Sequence, residues 1–284
     1  MKKLVVVALA LSLAPSFAQA ESKPWFRSAG DYMAYRTERW GVPTDPSTKV
    51  ITDGKRFDTS IGKRISLLTW GDDEFRKAWS FGIEGGMLAS LYRYSKDGSL
   101  TFATHTFDGF FGAYVGYMKN GWIAMLRTGH LSAHLVDNAP ELGLNGPGNV
   151  SYSQFWNEII VGKTFPAPNN PSDWEVHVQG SLGMNNTSTP KGAQPRASLG
   201  VSGAYALRGD GKLAALASAD ALRAGVEGQR NSYTAFVGVG SLNRPSSTIR
   251  PWRAGIAHFF GSDWRNQYYQ RKQDWTAFEA STEF

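Results

Sequence analysis

Apolar and polar positions alternate with a period of two through most of this chain. From Glu175 to Asn185, Val176, Val178, Gly180, Leu182 and Met184 line one face, and Glu175, His177, Gln179, Ser181 and Asn185 the other. Phe81, Ile83, Met87, Ala89 and Leu91 oppose Glu84 and Ser90, while Ala197, Leu199, Val201, Tyr205 and Leu207 oppose Arg196, Ser198 and Ser202. The last residues repeat the pattern, with Thr276, Phe278, Ala280, Thr282 and Phe284 against Ala277, Glu279, Ser281 and Glu283. Successive side chains of a strand point to opposite faces, so this periodicity predicts an all-β chain of two-faced strands. A strand that closes on a terminal aromatic looks like the ending of a transmembrane antiparallel β-barrel of the bacterial outer membrane, which is the expected fold.

Strands are expected near 62–70, 78–92, 100–119, 121–135, 151–165, 173–185, 195–207, 212–223, 231–241, 250–261 and 275–284. Single-chain bacterial barrels have an even number of strands, so these eleven segments predict about twelve, with ten as the alternative. The twelfth comes either from a break of 100–119 near Asp108-Gly109 or from part of 40–60. Lys119-Asn120-Gly121 fits a two-residue type I′ hairpin turn on the periplasmic side. Loops 136–150, 186–194, 224–230 and 262–274 then face outside. Twelve strands predict a packed or narrow polar interior, since open channels come with about 16–18.

The N-terminus points to the same compartment. Lys2 and Lys3 precede an apolar run from Leu4 to Ala14, and Ala18-Gln19-Ala20 offers small residues for cleavage, so residues 1–20 are expected to be a secretory signal peptide. The run is half the ~20 residues that a membrane-spanning helix needs. Residues 21–60, with Pro24, Pro43 and Pro46 among charges, alternate weakly and are expected to form a periplasmic or plug segment, leaving 61–284 as the barrel. Trp70, Trp79, Trp122, Trp174, Trp252 and Trp275 fall at strand ends, where barrels place their aromatic girdles.

Composition narrows the function. The formal net charge is +6, to which Lys2 and Lys3 contribute, and no basic stripe stands out, so nucleic acid is not an expected partner. With no cysteine, thiolate metal sites and cysteine nucleophiles are excluded. No phosphate loop or dinucleotide fingerprint occurs, and no cofactor is expected. The expected partners are outer-membrane lipid and lipopolysaccharide, with the barrel-assembly machinery during biogenesis.

One constellation carries candidate chemistry, the run Gly129-His130-Leu131-Ser132-Ala133-His134-Leu135-Val136-Asp137. On a strand His130, Ser132 and His134 share a face, so a base and a hydroxyl nucleophile lie two residues apart. If that face is lumenal, His130, Ser132 and His134, with Asp137 nearby, form a hydrogen-bonded polar cluster and Arg127 points outward.

The block from Phe81 to Asp137, with its H-x-S-x-H-L-x-D run, and the ending from Trp252-Arg253-Ala254-Gly255-Ile256-Ala257-His258-Phe259-Phe260-Gly261 through Tyr268-Tyr269 to Phe284 resemble an uncharacterised family of bacterial envelope barrels. Val136 stands where that pattern has glycine. This resemblance implies fold and location and no activity. The H-x-S pair is also similar to that of outer-membrane phospholipase A and the lipid A deacylase barrels, and Trp156-Asn157 to the phospholipase's Trp-Asn pair. That likeness implies an acyl hydrolase with Ser132 as nucleophile, His130 as base and Asn157 orienting the imidazole; calcium enters only with the phospholipase reading. Ala133-His134 after the serine departs from the phospholipase pattern. Three functions are therefore open: a structural or binding barrel, a serine acyl hydrolase of envelope lipid, and a narrow transporter.

Overall fold

A computed structural model describes residues 28–37, 47–71, 75–96, 98–135, 152–170, 172–189, 191–224, 230–242, 249–262 and 272–283. The expected signal peptide, Phe284 and Asp137 lie outside the described residues, as does the side chain of His134.

Among the described residues the first element is a helix, α1 (Ala29–Arg36), followed by strands β1 (Thr48–Thr52), β2 (Arg56–Gly71), β3 (Lys77–Lys96), β4 (Ser99–Lys119), β5 (Trp122–Leu135) and β6 (Tyr152–Phe165). Then come β7 (Trp174–Thr189), β8 (Lys191–Ala206), β9 (Ala214–Ala224), β10 (Arg230–Gly240), β11 (Trp252–Ser262) and β12 (Lys272–Thr282). Each strand pairs with its sequence neighbours, and β1 pairs with β12 to close the barrel. The twelfth strand is supplied by Thr48–Thr52, and β4 runs unbroken through Asp108-Gly109. The barrel wall therefore begins at Thr48, and the boundary expected at residue 60 falls inside β2. Weak alternation before residue 60 has two causes: β1 is only five residues long, and Ala29–Arg36 is helical.

Asn120 and Gly121 both adopt positive φ, +48° and +79°, the pair of left-handed residues that a type I′ turn requires. This tight turn sets the direction of every strand. The turn at 53–55 and the β3–β4 hairpin face outside, while α1 enters from the periplasmic end.

Alternation along β5 gives the wall its two faces. Ile123, Met125, Arg127, Gly129 and Leu131 are buried, whereas Trp122, Ala124, Leu126 and Thr128 are exposed. The exposed positions of the whole wall are mostly large and apolar, including Leu182 (71 %), Phe111 (65 %), Leu199 (63 %) and Val237 (63 %). The buried positions include Arg64, Glu84, Arg127, Glu158, Gln179 and Arg196. Apolar outside and charged inside inverts the arrangement that water favours, so the solvent of this wall is hydrocarbon. Eleven-residue strands such as β9 to β12 are just long enough to cross a bilayer, which takes about 9–11 tilted residues. β3 and β4, with 20 and 21 residues, project beyond it.

Candidate functional site in the lumen and on the lipid-facing wall

The lumen is filled from the periplasmic end by α1. Ser28 caps its first turn by accepting from the Asp31 N–H. Ala29, Tyr32 and Met33 then pack on Ala78, Met118 and Ile123, and Ala34 packs with Tyr114, Met125 and Ile160. Gly30 lies so close to Thr69, Ser66 and Ser80 that a Cβ there would collide with their hydroxyls. Arg36 ion-pairs with Glu175 across the lumen. At the same C-terminal end of the helix, Arg64 Nη1 donates to Ala34 O (2.9 Å) and Thr37 Oγ1 (2.6 Å), placing a cation where the helix carbonyls end.

Above the helix runs a chain of buried ion pairs. Arg64 meets Glu84 (2.9 Å), Glu84 meets Arg127 (2.9 Å), Arg127 meets Glu158 (3.6 Å), and Glu158 meets Arg196 (3.3 Å). Ser181 also donates to Glu158 (2.5 Å). Each carboxylate is shared by two guanidiniums, which satisfies the lone pairs that burial would otherwise leave bare. On the outer side lies an apolar cluster of Leu88, Phe110, Leu131, Trp156 and Phe259, with Trp275 stacked on Phe259. The lumenal polar residues Glu84, Glu175, His177 and Glu279 are engaged by Arg64, Arg36, Thr164 and Arg253 respectively.

The run around His130 lies on the opposite face of the wall. His130 and Ser132 continue the outward series Trp122, Ala124, Leu126 and Thr128, and Asn157 continues the exposed series Phe155, Ile159 and Val161 on β6. Arg127 is lumenal, so the outward-Arg127 alternative does not hold. Rising from Trp122 at ~3.4 Å per residue and ~40° tilt, β5 brings His130 roughly 20 Å and Ser132 roughly 26 Å above the inner girdle. An apolar band is about 25 Å tall, which puts the pair at the outer-leaflet boundary.

Register then separates the three candidates. Thr128 pairs with Asn157, His130 with Phe155 and Ser132 with Ser153, so Asn157 is diagonal to His130 and Phe155 stands directly across from it. The imidazole lies between two phenyl rings, 5.4 Å from that of Phe111 and 4.4 Å from that of Phe155. His130 Nδ1 is buried and has no hydrogen-bond partner. Trp156 of the Trp-Asn pair turns the other way, into the lumen against Gly129.

A second polar group on the lipid-facing wall has no counterpart in the sequence motifs. His258 Nδ1 lies 3.0 Å from Thr276 Oγ1, and His258 Nε2 lies 3.7 Å from Asp274 Oδ1. His258 and Thr276 sit on adjacent strands, 18 positions apart. Alternation places both on outward faces, but only the β11–β12 register brings them opposite each other.

Closed topology, an apolar outer band and a charged interior define a transmembrane β-barrel of the bacterial outer membrane. The chain matches no protein-family model and no curated protein. Among solved structures it is similar to the beta domain of the Bordetella autotransporter Brka, at 17 % identity and TM-score 0.46, covering 84 % of this chain and 94 % of that one. It is also similar to OmpT, an outer membrane protein of Vibrio cholerae, at 8 % identity and TM-score 0.38, covering 83 % and 93 %.

Proposed function

We propose that this protein is a closed-lumen outer-membrane barrel serving the envelope as a structural or lipid-binding element rather than as a pore. The observation that carries this reading is the filling of the lumen by α1, the ion-pair chain and the apolar cluster around Phe110 and Trp156. A continuous water column needs a path past all three, and each carboxylate along it is already paired. The partners are outer-membrane lipid and lipopolysaccharide, with the barrel-assembly machinery acting during insertion; no cofactor is involved. The inferred kinship with the uncharacterised envelope family rests on the block from Phe81 to Asp137, with its H-x-S-x-H-L-x-D run, and on the ending from Trp252 to Phe284. The test is conductance of the refolded protein in planar bilayers. The wild type should give no steady current steps, and stable steps from it would refute the closed lumen.

A second reading, an outer-membrane serine acyl hydrolase, is favoured by one observation: His130, Ser132 and Asn157 all face lipid at the depth of the outer leaflet. It requires the imidazole to turn from its packing on Phe155 toward Asn157, its diagonal neighbour. Acyl release from phospholipid, with and without calcium, compared between wild type and Ser132→Ala, tests it. A wild-type rate unchanged in the variant would end this reading.

A further inference from the structure

We infer that Asp274, His258 and Thr276 form a lipid-facing hydroxyl–imidazole–carboxylate site on β11 and β12 that cleaves acyl esters of envelope lipid. The site is independent of the lumen and of Ser132.

Local geometry assembles it. Glu283 N–H donates to Pro251 O (3.0 Å), so by the two-residue alternation of an antiparallel pair Thr276 and His258 form a non-hydrogen-bonded pair. Such pairs bring Cα atoms to about 4.5 Å and their side chains into contact, which accounts for the 3.0 Å separation of Oγ1 and Nδ1. Asp274, one pleat further along the same face, reaches the other ring nitrogen. The 3.7 Å gap is longer than a hydrogen bond, as catalytic contacts commonly are before substrate binds.

Each residue type has a role that fits its position. Once Asp274 closes on Nε2 in the substrate complex, its carboxylate holds the proton on that nitrogen and leaves the Nδ1 lone pair facing Thr276. The same alternation turns the backbone N–H groups of Thr276 and Asp274 away from β11, toward β1. Pairing of β12 with β1 ends at Phe278 opposite Thr52, so among the described residues this edge has no strand partner from Lys272 to Ala277. The Thr276 N–H is therefore placed beside its own hydroxyl, where an oxyanion would form. On the lumenal side the seam is held by side chains: Arg56 Nη1 donates to Gln273 Oε1 (3.2 Å) and its guanidinium lies 4.8 Å from the Trp275 ring. Exposed Phe278, Phe260 and Tyr233 surround the site with apolar surface suited to an acyl chain.

The reaction balances with water as the only co-reactant. Thr276 Oγ bonds to the ester carbonyl carbon while its proton passes to His258 Nδ1. The tetrahedral oxyanion then collapses, the acyl C–O bond to the lipid alcohol breaks, and the alcohol leaves with the proton from His258. Water attacks the acyl-threonine by the same route, releasing a fatty acid and restoring the hydroxyl. Thr276 and His258 are the catalytic residues, and Asp274 is a positioning residue.

The experiment uses the full-length refolded protein in phosphatidylethanolamine–phosphatidylglycerol vesicles, with and without lipopolysaccharide, and identifies released fatty acids by mass spectrometry. Release from vesicles alone assigns glycerophospholipid, and release of hydroxy-acids only with lipopolysaccharide assigns lipid A. Thr276→Ala and His258→Gln should each lower the rate by ~100-fold or more, as loss of a nucleophile or general base does. Thr276→Ser should retain it. Asp274→Asn should lower kcat with KM unchanged, and Asp274→Glu should restore part of it. Leu182→Ala, on the exposed face of β7 away from β11 and β12, should leave the rate intact. No release by wild type that shows heat-modifiable gel migration, or release unaffected in Thr276→Ala, or release lost only in Ser132→Ala, would overturn the proposal.

Discussion

Replacing Arg64 with Met tests whether the buried ion pairs and the lumenal helix act as one unit. The Arg64 side chain is completely buried, as is that of its partner Glu84. Its guanidinium also holds Ala34 O and Thr37 Oγ1 at the end of α1. Methionine keeps most of the volume, so the change is chiefly electrostatic. Glu84 would retain Arg127 but lose half its compensation, and breaking a buried pair by removing one partner costs ~3–5 kcal/mol. The two helix carbonyl and hydroxyl acceptors would lose a charged donor, worth about 1.5–3 kcal/mol for each bond of this kind, with the two sums overlapping rather than adding. A net loss of ~3 kcal/mol is the expected result, roughly a hundredfold in the unfolding equilibrium. Urea unfolding of the barrel in lipid vesicles, followed by tryptophan fluorescence, measures it. The same variant should make α1 sensitive to protease added at the periplasmic side. A loss below ~1 kcal/mol with α1 still protected would show that the pair and the helix are energetically separate.

Two other predictions concern smaller features. Gly30→Ala should push α1 off β2 and β3, because the new Cβ meets the hydroxyls of Thr69, Ser66 and Ser80, and should destabilise the barrel by ~1–3 kcal/mol on urea titration; an unchanged midpoint would show that the helix is not seated there. At the β1–β2 turn, partial burial raises the Asp53 pKa, but N–H groups of Arg56 and Lys55 outweigh it and hold the carboxyl below its ordinary 3.8. Because the folded value is the lower one, the stability it contributes is full above the unfolded pKa and is lost as pH falls through the folded value. Asp53→Asn should therefore narrow the stability difference between neutral and strongly acid solution, and an identical acid profile in both proteins would contradict this.

The alternation of apolar and polar residues made the wall legible because a strand's faces are decided two residues at a time. Val176 to Met184 and Glu175 to Asn185 needed no partner to declare which side was which. The short β1 escaped because five residues hold too few alternations, and α1 because its eight residues pack by volume inside the lumen. For the candidate site, sequence located His130 and Ser132 on one face but did not reveal that Phe155, and not Asn157, stands opposite His130, since register is a property of two strands. His258 and Thr276 were hidden for the same reason. Cross-strand chemistry leaves no local signature when its members are many residues apart.

The pairing of β1 with β12 has a consequence for how the molecule is made. Thr52 meets Phe278, so the contact that closes the ring joins the first and last strands of the barrel, and every other strand pair is between sequence neighbours. Hairpins form early because little chain entropy is lost in making them, whereas an end-to-end contact has the largest loop to close. Ring closure therefore comes last, through a five-residue clasp. Until β12 meets β1, the sheet is an open curl with two bare edges.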